Sequence, residues 1–153
     1  MYVRDDIHAY VTTTHGEGYG LPIFEAAYSG LPVIATDWSG HLDFLETEVK
    51  EKKKMKLKKL FAKIDFDLKE IPKEAIWKDL LIEGSQWAYP TKQSYKKQIR
   101  NVYKNYGLYK KWANLLQKNI KEEYSSDKVI EKMKSAIFSN SPESQPQEEI
   151  MVL

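Results

Sequence analysis

The chain has 153 residues, of which 42% are hydrophobic and 30% charged, and its formal net charge is +2. This length is ordinary for one domain with a real hydrophobic core. The absence of cysteine excludes disulfides and thiolate metal sites and is consistent with a reducing compartment. No apolar run has the length of a transmembrane helix and no signal peptide precedes the first predicted strand, so we expect a cytoplasmic protein.

The charge is distributed unevenly along the chain. Residues 1–47 carry one basic and seven acidic side chains, a net charge of −6, so the remainder carries +8. An acidic region is an unfavourable place for an anionic ligand unless another segment contributes cations. A phosphate site in the first 47 residues would therefore need cations from another segment.

Two short apolar runs predict neighbouring strands. Ile7–Thr13 is rich in β-branched and aromatic residues, as buried strands are, and Val33–Thr36 is a second run of this kind. Pro22 and Gly30 predict a helix from about Pro22 to Ser29, because proline suits the first turn and glycine the position after the last. Strand, helix and strand in this order predict a right-handed parallel unit whose loop lies at the carboxyl edge of the sheet.

The stretch His15–Ala26 joins the first strand to this helix. It holds Gly16, Gly18 and Gly20 at alternating positions, where the backbone must turn tightly and approach something that a Cβ would obstruct. The free N–H groups at the start of a helix, together with the helix dipole, attract anions. The stretch therefore predicts a phosphate site.

Two carboxylates, Glu17 and Glu25, belong to the same stretch, and we expect both near the mouth of the loop. A carboxylate accepts paired hydrogen bonds from a vicinal diol, so the pair suggests a nucleotide sugar. The alternative is that Glu25 only favours the start of the helix and Glu17 is a solvated loop residue. Residue types and spacing leave both interpretations open.

Histidines are the remaining candidates for metal ligands in this region. His8 and His15 have no carboxylate or thiol at metal spacing, so a structural or solvated role is the favoured interpretation.

A lysine-rich run occupies Glu48–Lys59. Such runs usually form the solvated face of a helix or loop, although contact with an anionic membrane or with nucleic acid is an alternative. A short apolar stripe with helical spacing follows the lysines: Leu57, Leu60, Phe61 and Ile64. Alternating apolar residues then predict a strand over Lys63–Leu68.

The last third of the chain is predicted to be helical. Thr91 can cap a helix that ends at Gly107, with one face formed by Tyr95, Ile99, Val102, Tyr103 and Tyr106. Apolar spacing predicts a second helix over Leu108–Ile120 and a third from Ser125 or Ser126 to Ile137. Residues 139–153 are rich in Ser, Pro, Gln and Glu, which predicts a disordered tail.

The segment Glu17–Glu25, with Gly-Tyr-Gly-Leu-Pro-Ile-Phe between the glutamates, resembles the signature of retaining glycosyltransferases of the family-four "group 1" type. The resemblance continues through Ala26–Ala35 and Thr36–Asp43, and more loosely through Trp87–Pro90 and the helices to Lys132. It implies the C-terminal, donor-binding half of a GT-B fold. We therefore expect an α/β protein: a partial Rossmann-like parallel sheet with flanking helices and a helical C-terminal part.

The resemblance also implies roles for individual residues. In that family the first glutamate contacts the donor sugar and the second holds the ribose hydroxyls, roles that fall on Glu17 as the catalytic residue and on Glu25. Backbone around Gly18, Tyr19, Gly20 and Leu21 would hold the diphosphate, and Gly40 would approach the donor. Trp38 would cover a sugar ring or cap the core. These enzymes usually need no bound metal, so we expect no metal and no cofactor besides the nucleotide-sugar substrate.

The resemblance covers only the later part of the second of two Rossmann-like domains. The acceptor-binding domain is absent, and so is the upstream Arg/Lys pair that neutralises the diphosphate. We therefore expect residues 1–138 to form a truncated nucleotide-sugar-binding domain. The implied function is transfer of a sugar from a nucleotide-diphosphate sugar to an unknown acceptor, with a missing N-terminal domain or a partner chain. The alternative is a catalytically silent module for nucleotide-sugar binding or protein contacts.

Overall fold

A small parallel sheet carries the glycine-rich loop. The computed structural model describes residues 2–51 and 54–138. In chain order its helices and strands are β1 (Tyr10–Val11), α1 (Leu21–Tyr28), β2 (Val33–Thr36), α2 (Leu42–Leu45), β3 (Glu46–Glu51), β4 (Lys54–Lys59), β5 (Ala62–Ile64), β6 (Phe66–Glu70), β7 (Gln86–Pro90), α3 (Lys92–Lys104), α4 (Tyr106–Glu123) and α5 (Ser126–Phe138). The sheet has the order β1, β2, β5, and β2 is parallel to both neighbours. The predicted α/β class with a partial Rossmann-like sheet is confirmed.

The chain divides into two compact units, residues 1–120 and 121–153. In the second unit, two lysines of α5 form ion pairs with Glu123. The amine of Lys128 lies 2.7 Å from the Glu123 carboxylate and that of Lys132 lies 3.5 Å from it. The predicted disordered tail, residues 139–153, lies outside the described residues. In the described ranges no helix combines the length and the apolar character that crossing a membrane requires.

Helix α1 lies within one residue of its predicted position. Gly20 precedes it with a φ of 83°, in the left-handed region that glycine adopts at little cost, and Pro22 is in the first turn. Gly30 ends the helix with a φ of 75°, and its N–H donates to the carbonyl of Ala27. The glycine and proline signals therefore correctly predicted both ends of the helix.

Helix α4 donates side-chain hydrogen bonds to two carbonyls, one at the end of α1 and one just after it. The Lys110 amine donates to the Gly30 carbonyl at 2.7 Å, and the Gln117 amide donates to the Tyr28 carbonyl at 2.9 Å. The final carbonyls of a helix have no partner within the helix, so these bonds replace water at the end of α1. The helix that begins at the glycine loop is thereby held at its other end by residues far along the chain.

Side chains of β2 alternate between two cores. Val33 and Ala35 belong to the larger cluster, together with residues of α1, α2 and α4, whereas Ile34 belongs to a second cluster with Val102 of α3. This alternation is the period of two expected for a strand with both faces covered. The sheet is therefore packed between helices on both sides, and its carboxyl edge is left for the loops.

The lysine-rich run is an antiparallel hairpin, so its interpretation as a helix or loop face is wrong. β3 pairs with β4, and Glu46 lies opposite Lys59, with which it forms an ion pair at 3.0 Å. Opposite charges across a strand pair stabilise it, which offsets the low strand propensity of lysine. The four residues of the apparent helical stripe do not share one helix. Leu57 is exposed in β4, Leu60 and Phe61 are buried in the connection after it, and Ile64 belongs to β5.

The strand predicted over Lys63–Leu68 is two strands in different sheets. The break is at Asp65, whose N–H donates to the Ser94 hydroxyl at 3.0 Å and whose carbonyl accepts from the Thr91 N–H at 2.8 Å. The backbone N–H and carbonyl of Asp65 therefore form hydrogen bonds with residues at the start of α3 and not with a neighbouring strand. The chain then leaves the parallel sheet, and β6 pairs with β7 instead.

The remaining predictions agree with the structure except at three points. The first predicted strand is shorter, because only Tyr10–Val11 pairs with β2. Three C-terminal helices are present as predicted, but the end predicted for the first at Gly107 is wrong, because α3 ends at Lys104 and Gly107 lies in the first turn of α4. Thr91 holds the N-cap position of α3 without a side-chain cap bond. Tyr103 is 84% exposed rather than part of the packed face. Its position follows Val102 directly, so the two side chains leave the helix in different directions.

Two glycine substitutions should have opposite effects on stability. Gly30→Ala should lower the free energy of unfolding by about 1–2 kcal/mol, because alanine is strained at a positive φ and its Cβ would lie 3.1 Å from the Gln117 amide. Gly107→Ala, in open space within α4, should raise it by up to about 1 kcal/mol. Urea unfolding of both variants tests this, and equal shifts in the same direction would contradict the conformational argument.

Candidate active site

Two loops meet at the carboxyl edge of the sheet. The glycine-rich loop follows β1 and leads into α1, and residues 37–41 follow β2 and lead into α2. The carboxyl ends of parallel strands are the usual place for ligands in open α/β folds. The structure therefore places the predicted site residues of both loops at one edge.

A single hydroxyl joins the two loops. The Ser39 Oγ accepts a hydrogen bond from the Glu17 N–H at 2.6 Å and donates one to the Glu17 carbonyl at 2.8 Å. The same carbonyl accepts the Gly40 N–H at 3.1 Å. These three bonds, which we call the loop clamp, fix the backbone of Glu17 directly.

The loop clamp requires unusual backbone in residues 39 and 40. Ser39 has a φ of 83°, which costs a residue with a Cβ about 1–2 kcal/mol. At Gly40 a Cβ would overlap the Gly18 carbonyl oxygen and lie 3.0 Å from that of Glu17. Glycine is therefore the residue that the close approach of the two loops admits, and the predicted approach of Gly40 to the donor stays a prediction.

Gly20 packs against a buried histidine of the second loop. A Cβ on Gly20 would lie 3.1 Å from the Cβ of His41, which is fully buried. The His41 Nε2 donates to the carbonyl of Thr36 at 2.8 Å, which fixes the ring under the turn. The turn that starts α1 thus rests on the end of β2.

The charges of both signature glutamates affect one phenol, that of Tyr10. Burial raises the pKa of Tyr10, and the negative charges of Glu17 and then Glu25 raise it further. Burial likewise raises the pKa of Tyr2. The negative charge of Glu25 and a hydrogen bond to the Glu25 carboxylate raise it further. Both carboxylates are therefore within electrostatic range of Tyr10, and their roles toward a donor stay predictions.

Aromatic side chains support the glycine loop. Tyr19 contacts Phe24 of α1 and Phe44 of α2, with ring centroids 5.7 and 5.2 Å apart, and 41% of Tyr19 is exposed. Leu21 is 59% exposed at the start of the helix. Both predicted site residues therefore lie at the surface of the loop, where they are accessible to a ligand.

Trp38 takes an intermediate position between the two predicted alternatives. Its ring packs on Phe66 of β6 at 5.3 Å, yet 38% of the residue is exposed. It thus caps part of the core while presenting surface at the sheet edge.

A lysine from the β3–β4 hairpin neutralises the second loop. The Lys59 amine lies 2.7 Å from Asp37 and 3.0 Å from Glu46, and Lys63 lies 4.0 Å from Asp37. Burial alone would lower the pKa of Lys59, but the hydrogen bonds to Asp37 and Glu46 outweigh it and raise the pKa. The basic part of the chain does supply cations to the acidic part, through a hairpin that the sequence did not predict.

His15 connects the glycine loop to β7. Its Nδ1 donates to the Ala88 carbonyl at 2.8 Å, and the Ala88 N–H donates to the His15 carbonyl at 3.1 Å. The imidazole stacks on Trp87 with an interplanar angle of 2° and lies 4.4 Å from the ring of Tyr89. A structural role was the favoured interpretation for this histidine, and its contacts bear that out, but its partners in β7 were not predictable from spacing.

No group of three His, Asp or Glu side chains in the described ranges is close enough to hold a metal ion. The predicted independence from metal stays a prediction.

Residues 5–133, more than four fifths of the chain, match the family described as "Family 4 Glycosyltransferase in conflict systems". The chain belongs to this family. Membership in family 4 indicates glycosyl transfer in general, and the matched range includes both loops of the site. Neither the curated proteins nor the solved structures contain a match to the chain.

The close approach of the loops in this family 4 domain can be tested with two glycine variants. Gly40→Ala should lower the free energy of unfolding by at least about 3 kcal/mol, because its Cβ would overlap backbone rather than a movable side chain. Gly18→Ala meets nothing within 4 Å and should change stability by less than about 0.5 kcal/mol. Equal denaturation midpoints for the two variants would show that the loops do not approach as described.

The ion pairs of Lys59 predict a pH-dependent contribution to stability. Lys59→Met should lower the free energy of unfolding by about 1 kcal/mol at pH 7, since a third of the side chain is exposed. The pKa of Lys59 is raised in the fold, so the contribution is complete below the unfolded pKa and is lost as pH rises through the folded pKa. Urea unfolding of the wild type and of Lys59→Met should be measured at pH 7 and at a pH well above 10.5, the ordinary pKa of lysine. The difference in the free energy of unfolding between the two proteins should disappear at the higher pH. Lys63→Met is the control. Because the Lys63 amine lies 4.0 Å from Asp37, this substitution should change the free energy of unfolding little.

Proposed function

We propose that the chain is the donor-binding part of a retaining glycosyltransferase with half of a GT-B fold. It would bind a nucleotide-diphosphate sugar and support transfer of the sugar to an acceptor hydroxyl. In this reaction the bond between the anomeric carbon and the diphosphate oxygen breaks, and a bond from the acceptor oxygen to the same carbon forms on the same face. The proton of the acceptor hydroxyl leaves with the departing diphosphate, so atoms and charge balance.

The observation that carries this proposal is the loop clamp, which fixes the backbone of Glu17 at the carboxyl edge of the sheet, inside the segment that matches family 4. A donor molecule has two polyhydroxyl parts, the sugar and the ribose, separated by a diphosphate. Two carboxylates at one mouth offer each part an acceptor, with Glu17 for the sugar and Glu25 for the ribose diol. The loop clamp supports the first role, because it fixes the backbone of Glu17 before any ligand binds.

The diphosphate would lie between the two carboxylates, against the start of α1. The first N–H groups of a helix have no partner within it, and in α1 these belong to Leu21 and Ile23, since Pro22 has none. Gly18 and Gly20 keep side chains away from this backbone, and Gly40 lies behind Gly18. Charge builds up on the departing diphosphate as the anomeric bond loosens, so preorganised amides here would stabilise the transition state.

One observation favours the alternative, a module that binds nucleotide sugar without catalysis. Lys59 and Lys63, the cations brought to the second loop, are both engaged by Asp37. A departing diphosphate needs cationic stabilisation that these lysines already give to a carboxylate. Measurement of donor hydrolysis or transfer beside donor binding separates the two functions.

The acceptor would be bound by a further domain or a partner chain. In the described part of the structure β1 is an edge strand of the sheet, with Val11 41% exposed. A cavity of about 370 Å³ lies beside it, lined mainly by apolar and aromatic side chains that include Ile99 and Tyr106. An unpaired edge next to an apolar cavity can accept additional strands, which supports completion of the fold by another segment.

The cytoplasmic location expected from the sequence stays a prediction.

Calorimetry should measure binding of UDP, GDP and ADP, and of UDP-glucose, GDP-mannose and ADP-glucose, to the folded chain. Glu25→Gln should weaken both members of the preferred pair about tenfold or more, because the ribose is common to them and bonds to a charged acceptor are strong. Glu17→Gln should weaken only the nucleotide sugar.

Glu83→Gln in the β6–β7 connection provides the matched control, since this exposed glutamate is in a different segment. We expect it to bind like the wild type. Absence of binding by any compound in the panel, with the chain shown to be folded, would sink the proposal of an autonomous donor-binding domain.

A further inference from the structure

The imidazole of His15 is held on three sides. Its Nδ1 bonds to the Ala88 carbonyl, one face stacks on Trp87 and the ring also contacts Tyr89. The backbone is tied as well, because the His15 carbonyl accepts the Ala88 N–H. A side chain with this many contacts has one orientation, so its remaining ring nitrogen also has a defined place.

The contact with Ala88 determines the chemistry of that nitrogen. A carbonyl oxygen only accepts hydrogen bonds, so the bond at 2.8 Å places a proton on Nδ1. In the neutral ring Nε2 is then a hydrogen-bond acceptor, and it lies across the ring from Nδ1, away from Ala88. His15 is half-buried, so part of the residue is open to a ligand.

The neighbours of His15 suit a sugar. Glu17 is two residues further on, which places the two Cα atoms within about 7 Å. Trp87 and Tyr89 are half-buried and flank the imidazole with apolar ring surface. Aromatic surface with a few fixed polar groups is the common composition of small-ligand sites. An acceptor nitrogen in this setting fits a hydroxyl group, which can donate, and not a phosphate oxygen, which cannot.

We propose that His15 is a further binding residue for the transferred sugar. The Nε2 of its neutral ring accepts a hydrogen bond from a hydroxyl of the sugar that lies beside Glu17. This inference rests on the proposed function, and it adds a second contact to the sugar from the side of β7. The role of β7 is then to position the sugar-binding group, besides completing the β6–β7 hairpin.

His15→Asn separates the two nitrogens. The asparagine amide reaches the position of Nδ1 and can donate to Ala88, but it has nothing in the place of Nε2. We expect the dissociation constant of the preferred nucleotide sugar, from the panel above, to rise about five- to tenfold, the range for loss of one neutral hydrogen bond. Binding of the matching nucleoside diphosphate should be unchanged. His8→Asn, at an exposed histidine that contacts Tyr106, is the matched control.

Nitrogen-15 NMR of the imidazoles provides a measurement on the unaltered protein. The His15 signals, assigned by comparison with His15→Asn, should report a proton on Nδ1, and the Nε2 signal should move with the nucleotide sugar but not with the nucleoside diphosphate. A proton on Nε2 in the free protein would overturn the proposal, as would wild-type sugar binding by His15→Asn. Equal weakening of both ligands would show a loop effect and not a sugar contact.

The outcomes also separate this inference from the proposed function. If the wild type binds the nucleotide sugar and only the histidine results fail, the inference alone is wrong. If no compound in the panel binds the folded wild type, the proposed function is wrong and the inference falls with it.

Discussion

The site depends on the three hydrogen bonds that hold the backbone of Glu17 against Ser39 and Gly40. Each net bond contributes only about 1 kcal/mol, but together they offset the cost of the left-handed backbone at Ser39. The contact also determines which residues are possible around it, since Gly40 must lack a Cβ and Gly20 must turn against His41. Strained backbone held by surrounding bonds is a common way to keep a functional group in place before its ligand arrives.

Electrostatics divide the molecule between an acidic ligand edge and a basic support. The β3–β4 hairpin carries Lys59 to Asp37 and Glu46, so part of the negative charge at the edge is neutralised by the protein itself. This lowers the field that would repel an anionic donor, although it does not reverse its sign. Lysines from later in the chain thus pair with carboxylates of the first part. The small net charge of the whole chain does not reveal this separation of negative and positive segments.

The parts of the fold that follow from local signals could be predicted, and those that depend on distant partners could not. Glycine and proline placed α1 correctly because their backbone preferences act at the residues themselves. The strand break at Asp65 depends on Thr91 and Ser94, and the Nδ1 bond of His15 depends on Ala88, 73 residues away. The lysine-rich hairpin was missed because its pairing is stabilised by charges on the opposite strand, which periodicity along one segment does not reveal. Glu17 and Glu25 belong to one loop and helix that local signals placed correctly, and their roles toward a donor stay predictions.

The bonds from α4 to the end of α1 have a consequence for the shortest piece of this protein that can fold. Lys110 and Gln117 supply donors to carbonyls 80 and 89 residues earlier, and Leu116 and Ile120 fill the same core as Ile23. Chain termination before residue 110 would remove both bonds and this packing, and termination just before residue 120 would still remove Ile120 from the core that supports α1. A donor-binding fragment made for structural or biochemical work should therefore extend through the whole of α4.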